Sequence, residues 1–176
     1  MSAAFPATRG FLARLNRPLL LAALVALPLI YAPIAKFSDD HALLINASPS
    51  LPHWAFWLTK NKPVERGSLI FFEPPVSPLL VHHFGKKPLI FGKRVLGYPG
   101  DDVRHVGGEV YINTRRIAHT KPRSRLGVKL ARGPDGIIPE NCYYVGTDHI
   151  DGFDSRYAAI GWVCVGQIIG TGKAIL

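Results

Sequence analysis

The sequence predicts a mainly β domain preceded by one membrane-spanning helix, and two observations lead to this fold class. An uncharged apolar run extends from Leu19 to Ala35. After Lys36 the sequence changes to short apolar or β-branched segments separated by Gly, Pro, Asn and Asp, a pattern typical of strands joined by turns. The chain has 176 residues, 48% hydrophobic and 19% charged, which fits one compact domain and excludes a disordered chain.

The N-terminal segment has the charge pattern of a membrane anchor. Arg9, Arg14 and Arg17 precede the apolar run without any acidic residue. Basic residues beside a membrane segment stay on the cytoplasmic side. We therefore expect residues 1–18 to be cytoplasmic, residues 19–35 to span the inner membrane, and residues 36–176 to form an exported, periplasmic domain.

The apolar run has two other interpretations. A cleavable signal peptide places small residues at alternate positions after the run, whereas Ala32 and Ala35 are three apart. A buried core helix normally has a polar face, which this run lacks. A retained anchor is favoured over both.

Five segments after Lys36 have the composition of strands, and no convincing amphipathic helix accompanies them. Gly107-Gly108 lies between two of these runs and favours a two-residue hairpin turn. The predicted strand segments are Ser68–Phe72, Pro88–Gly97, Glu109–Ile112, Cys142–Gly146 and Trp162–Gly170. The exported part is accordingly predicted to be an antiparallel β domain.

A strongly basic stretch extends from Thr114 to Pro134, with seven Lys or Arg residues and no acid. We expect a long loop or an irregular hairpin there. It is interpreted as a solvated basic loop or as a contact with anionic membrane lipid. The formal charge of +9 is also compatible with nucleic acid, but an exported segment without interleaved aromatic residues does not favour that partner.

Three blocks carry residues suited to chemistry. In the first, Asn46–Trp54, Ser48 and Ser50 flank a proline, and prolines restrict the backbone so that a hydroxyl is held at a fixed angle. Taken alone, this block is also compatible with an ordinary polar turn.

The second block, Gly92–Asp102, contains Lys93 and Arg94 inside an apolar strand. Alternation along a strand sends one of these two side chains toward the buried side. A buried lysine loses hydration, which lowers its pKa, and a neutral amine can act as a general base for a hydroxyl. The commoner alternative is a lysine that reaches solvent at a sheet edge.

The third block is Gly146–Tyr157. Its residues Asp154 and Arg156 share a face if the chain is extended, and an ion pair between them is predicted.

In this order and spacing the blocks resemble the type I signal peptidase family, membrane-anchored Ser/Lys endopeptidases of exported proteins. The K-R-x-x-G-x-P-G-D element within Gly92–Asp102 and the G-x-D-S-R element within Gly146–Tyr157 are the most specific part of the match. The S-L-P segment at Ser50 is similar to the TraF-like conjugative-transfer peptidases, which mature a pilin precursor.

The resemblance implies a role for five residues. Ser50 matches the nucleophile and Lys93 the general base, while Ser48 matches a hydroxyl that helps to hold the oxyanion. Asp154 and Arg156 match a pair that braces the site. It also implies a signal-peptidase-like β domain, no cofactor and no metal, and an exported precursor protein, a propilin in the TraF-like branch, as partner. A general type I signal peptidase is the alternative within the family.

The sequence departs from the family pattern at Gly152, where leader peptidases have a serine that orients the lysine amine. Ser155, Thr147 or a water would have to replace that hydroxyl. Pro49 also differs from the small flexible residue that is common beside the position of Ser48.

Further alternatives remain at this point. His53 and His149 allow a Ser-His interpretation, but neither spacing is diagnostic. His82 and His83 would point to opposite sides of a strand and make a poor metal site. Cys142–Cys164 is compatible with either a disulfide or two buried thiols. An anchored, non-catalytic subunit of a secretion or pilus assembly is the rival from another functional class.

Overall fold

The computed structural model describes residues 17–46, 51–86 and 90–175, with side chains of the first helix described from Leu20 onward. The chain divides into two compact units, Met1–Asp40 and His41–Leu176. Ala47 to Ser50, a segment that includes Ser48, lies outside the described residues.

The described part of the first unit is one helix, α1, at Arg17–Asp40. Its 24 residues correspond to roughly 36 Å at 1.5 Å per residue, compared with about 30 Å for the hydrocarbon core of a bilayer. The segment Leu20–Asp40 is long and apolar enough to cross a membrane. The helix continues past Ala35, the predicted end of the apolar segment, and includes both Pro28 and Pro33.

The second unit is a β domain, as the segment pattern predicts. Its described strands form two sheets in which neighbouring strands run antiparallel. The strand bounds in chain order are β1 His41–Ile45, β2 Ala55–Thr59, β3 Leu69–Phe72, β4 Phe91–Gly97, β5 Asp102–Val106, β6 Glu109–Ile112, β7 Arg115–His119, β8 Gly136–Ile137, β9 Cys142–Gly146, β10 Val163–Cys164 and β11 Ile168–Ala174.

The larger sheet has the order β1-β2-β11-β3-β4-β9-β10, and the smaller has the order β7-β6-β5-β8. The late strand β11 is thus inserted between two early ones. Fully buried Ile70, Phe72, Val95 and Val145 pack together in the main core cluster. β4 and β9 pair inside this sheet, each with a neighbour on its other side, so residues at their ends are held on a well-packed base.

The predicted hairpin at Gly107-Gly108 is confirmed. Val106 pairs with Glu109, and the two glycines have φ of 57° and 92°. Positive φ at both central residues is what a tight turn of type I′ requires, and glycine adopts it without a steric penalty.

Three sequence predictions need correction. A seven-residue helix, α2, lies at Pro78–Phe84. The side chain of Ser77 caps it by accepting a hydrogen bond from Leu80 N at 3.2 Å. The expectation of no helix after Lys36 is therefore wrong, because a proline and a capping serine start this one. Trp162–Gly170 is broken by a 3-10 turn. The basic stretch begins as strand β7, which pairs with β6, and only its remainder is irregular.

The open question about the cysteines has an answer in the fold. Cys142 and Cys164 face each other across β9 and β10 and form a disulfide, with their Cα atoms 3.9 Å apart. The bond therefore links β9 to the C-terminal part of the chain.

Candidate active site

Lys93 is a buried base candidate on β4. Its side chain is 4% exposed, whereas that of Arg94 is exposed, so strand alternation sends the lysine inward as predicted. Its Nζ lies 5.9 Å from the centroid of the Phe91 ring. Burial lowers the pKa of the Lys93 amine from its ordinary value; the Asp154 carboxylate opposes this shift and the Arg156 guanidinium adds to it. A larger fraction of neutral amine is the result.

The predicted ion pair between Asp154 and Arg156 is present and buried. Arg156 Nε lies 2.8 Å from Asp154 Oδ1, and a second guanidinium nitrogen lies 2.9 Å from Oδ2. The two residues are 1% and 3% exposed. A bidentate, fully desolvated pair of this kind fixes orientation as well as charge.

The same pair holds the chain that follows β9. Arg156 donates to the carbonyl of Thr147 at 2.9 Å and to that of His119 at 3.2 Å. Asp154 Oδ2 accepts from Thr147 N at 3.2 Å. The loop after β9 is thereby tied to the end of β7.

The hydroxyls near Gly152 differ in their partners. Ser155 Oγ accepts from Val145 N at 3.0 Å. Thr147 is 8% exposed, and its Oγ1 has no hydrogen-bond partner in the part of the chain that the structure describes. A Cβ added to Gly152 would lie 2.6 Å from this Oγ1, so the threonine hydroxyl occupies the space beside the glycine.

A cleft of about 770 Å³ opens over Lys93. Phe71, Phe84, Phe91 and Phe153 supply much of its apolar wall. Apolar pockets with a few polar groups are the usual form of a binding site.

Two residues of the first block line the same cleft as Lys93, whereas Ser50 itself lies outside the described residues. Asn46 and Leu51, the described residues on either side of that segment, both line the cleft. Asn46 N donates to Trp54 O at 2.8 Å, and its Nδ2 donates to Leu51 O at 3.0 Å and to His53 O at 2.7 Å. Asn46 thus ties the end of β1 to residues 51–54, a role that the sequence analysis did not predict. The available signal was its position at the start of a Ser/Pro segment, where a side-chain amide can bond to nearby main chain.

A basic segment forms another wall of the cleft. Lys121 Nζ and the Arg125 guanidinium both bond to Asp151, with Arg125 Nε at 2.9 Å. The hydrogen bonds from these two side chains lower the pKa of Asp151 from 3.8 to about 2. His83 Nε2 lies 2.9 Å from Ser124 Oγ, so α2 also contacts the segment.

The prediction that His82 and His83 lie on a strand is wrong. His82 and His83 lie on α2 with ring centroids 5.4 Å apart, because the Ser77-Pro78 cap makes this stretch helical. His149 lines the cleft, and its Nδ1 accepts from Asp151 N at 3.1 Å. His53 packs edge-on against Phe56 at 6.2 Å.

Comparisons with known proteins agree with the resemblance. A family model described as signal peptidase, peptidase S26, matches residues 13–176. Signal peptidase I of Bacillus amyloliquefaciens is 30% identical over 120 residues, covering 64% of this chain and 56% of that protein. Signal peptidase I T of Bacillus subtilis strain 168 is 30% identical over 91 residues, 47% of each chain.

The chain thus spans about half the length of these two relatives. A crystal structure of a signal peptidase I from Enterococcus faecalis V583 is 22% identical, covers 62% of this chain and 97% of its own, and has a TM-score of 0.39. Since the family model matches nearly the whole sequence, the chain belongs to the signal peptidase family, peptidase S26.

Proposed function

We propose that this protein is a membrane-anchored serine endopeptidase that cleaves an exported precursor with Ser50 as nucleophile and Lys93 as general base. The observation that carries the proposal is the buried Lys93 amine, with its lowered pKa, in a cleft also lined by the residue that follows Ser50. A buried lysine removes a hydroxyl proton only if it is largely neutral, and this environment favours the neutral form.

The reaction is an acyl transfer. The neutral Lys93 amine takes the proton of Ser50 Oγ, which attacks the scissile carbonyl carbon. The Ser50 main-chain amide and the Ser48 hydroxyl hold the resulting oxyanion, and one such donor is typically worth about 10²–10³ in rate. Collapse breaks the carbon–nitrogen bond, and the Lys93 ammonium returns its proton to the leaving amine. Water then releases the acyl group.

The ion pair supports this site from behind. Asp154 accepts from the N–H of Thr147, and Arg156 donates to its carbonyl, so the pair fixes the chain that follows β9. We assign them a positioning role, because Lys93 alone carries the proton in the proposed reaction.

The finer proposal concerns substrate and location. The S-L-P segment at Ser50 favours a pilin precursor of conjugative transfer over a general secretory precursor. Helix α1 would anchor the enzyme in the inner membrane with its N-terminus in the cytoplasm, and the basic domain would face anionic lipid on the periplasmic side.

The test is cleavage of purified precursors by the full chain in detergent. A pilin precursor and a general signal-peptide precursor are incubated separately with wild type, Ser50→Ala and Lys93→Met. We expect kcat of Ser50→Ala and of Lys93→Met to be lower than that of wild type by roughly 10⁴-fold or more, as in other enzymes that lose a nucleophile or a base. Arg94→Met, which removes the neighbouring cation on the opposite face, is the matched control and should cleave at the wild-type rate.

Two outcomes would overturn the proposal. Cleavage retained in Ser50→Ala or Lys93→Met refutes the dyad, and no cleavage of either precursor by wild type favours a non-catalytic assembly subunit. Processing of the general precursor but not of the pilin refutes the finer proposal alone. The mass of the processed pilin separates hydrolysis from ring closure, because a cyclic product has lost one water relative to the linear one.

A further inference from the structure

The Thr147 hydroxyl is a buried polar group that the proposed mechanism does not use. Its Oγ1 has no hydrogen-bond partner among the described residues, although the large majority of buried side-chain polar atoms in proteins have one. The main chain of the same residue is fully engaged, with its N–H bonded to Asp154 and its carbonyl to Arg156. The main chain of Thr147 is therefore fixed, while its hydroxyl is available for a further hydrogen bond.

The strand register brings Thr147 to the end of the strand pair that contains Lys93. Arg94 and Gly146 are the last pair of the antiparallel β4–β9 ladder. Lys93 precedes Arg94 and Thr147 follows Gly146, so the same register continued by one residue would set them opposite each other. Directly opposed residues of an antiparallel pair lie on one face with Cβ atoms about 4.5–5.5 Å apart. Both side chains are buried.

Gly152 fits the same arrangement. A Cβ at this position would approach Thr147 Oγ1 to 2.6 Å and Asp154 Oδ2 to 2.8 Å. A side chain at 152 would thus compete with the threonine hydroxyl for one space next to the buried ion pair. Glycine leaves that space to Thr147.

We propose that Thr147 is a positioning residue for Lys93, an inference that rests on the proposed function. In this proposal Thr147 Oγ1 accepts an N–H from the lysine amine. With one amine hydrogen fixed in this way, the amine lone pair is held in one direction for proton transfer. The threonine touches neither the substrate nor the reacting oxygen.

The experiment compares Thr147→Val, which keeps the shape and removes the hydroxyl, with Thr147→Ser, which keeps the hydroxyl. We expect Thr147→Val to lower kcat by about 10- to 100-fold, the range for loss of one buried hydrogen-bond partner, with KM unchanged. The alkaline rise in rate should also shift to lower pH, because the charged ammonium loses an acceptor. Thr147→Ser should keep the wild-type rate and pH profile.

Two results would contradict the inference. A Thr147→Val variant with the wild-type rate and pH profile would overturn the inference, as would a Thr147→Ser variant as slow as Thr147→Val. If either of these results occurs while Ser50→Ala and Lys93→Met are inactive, only the role of Thr147 fails; if those two remain active, the proposed function fails.

Discussion

Lys93 and Arg94 are adjacent in β4 but leave the strand on opposite faces. Lys93 is 4% exposed and faces the cleft, while Arg94 is exposed and donates to Gly67 O at 2.9 Å. Two cations of the same strand therefore have different environments. The buried one has the lowered pKa, and the chemistry proposed for this protein depends on that difference.

The first prediction concerns pH. Because Lys93 acts as a base only when neutral, the single-turnover cleavage rate should rise with pH through the lowered pKa of Lys93. Rates measured from mildly acidic to alkaline pH provide the test, with Arg94→Met as the control that keeps the same profile. A flat profile would contradict a lysine base.

The same pKa shift has a consequence for stability. Below the folded-state pKa the native protein carries the full cost of a buried ammonium. Between that pKa and the unfolded value of 10.5, the unfolded chain binds more protons, so stability rises with pH. We expect Lys93→Met to be more stable than wild type at neutral pH, with the gap narrowing toward pH 10.5. Urea unfolding at several pH values measures the difference in free energy of unfolding between Lys93→Met and wild type. A difference that does not change with pH would contradict this prediction.

The buried ion pair gives a second structural prediction. Asp154→Ala leaves the Arg156 guanidinium buried without its partner, and a broken buried pair typically costs 3–5 kcal/mol, so we expect a loss of about 4 kcal/mol in the free energy of unfolding. Asp148→Ala, at an exposed neighbouring carboxylate, is the matched control. Equal unfolding midpoints for the two variants would show that the pair does not hold the loop.

Asp151 is predicted to tether the basic wall of the cleft. Its pKa is lowered to about 2 by Lys121 and Arg125, so the tether is intact above the ordinary value of 3.8 and is lost as pH falls through about 2. At neutral pH, Asp151→Asn should speed trypsin cleavage after Arg123 and Arg125, because the exposed segment that carries them is no longer held by Asp151. Limited proteolysis with peptide mapping checks this against Asp148→Asn; unchanged cleavage rates would argue against the tether.

The disulfide should contribute to stability through the loop it closes. Cys142 and Cys164 are 22 residues apart, and closing a loop of this size is worth about 3 kcal/mol in the chain-entropy model. Reduction, or a Cys142→Ser/Cys164→Ser double variant, should lower the unfolding midpoint in urea. The same midpoint with and without reductant would contradict this.

Local patterns in the sequence predicted the local features of this fold well. Alternation placed Lys93 inward, Gly107-Gly108 formed the hairpin, and the spacing of Asp154 and Arg156 brought them together. Each depends on residues close in sequence, whose geometry the backbone period determines.

Features that depend on distant pairings were not predictable in this way. The insertion of β11 between β2 and β3 requires contacts across most of the domain. The hydrogen bonds of Asn46 to Leu51, His53 and Trp54 depend on how the chain turns back after β1. The position of Thr147 at the end of the β4–β9 ladder depends on the register between two strands. The short helix α2 was missed because its seven residues bury only Leu80, too little for a helical period to be visible.

The most direct test of the central claim is capture of the acyl-enzyme. The full chain in detergent is mixed with a pilin precursor, quenched in acid, digested and analysed by mass spectrometry. We predict that the precursor residues before the scissile bond appear as an ester on Ser50 in wild type and are absent in Lys93→Met. An adduct on another residue, or an equal yield of the Ser50 ester without Lys93, would contradict the account.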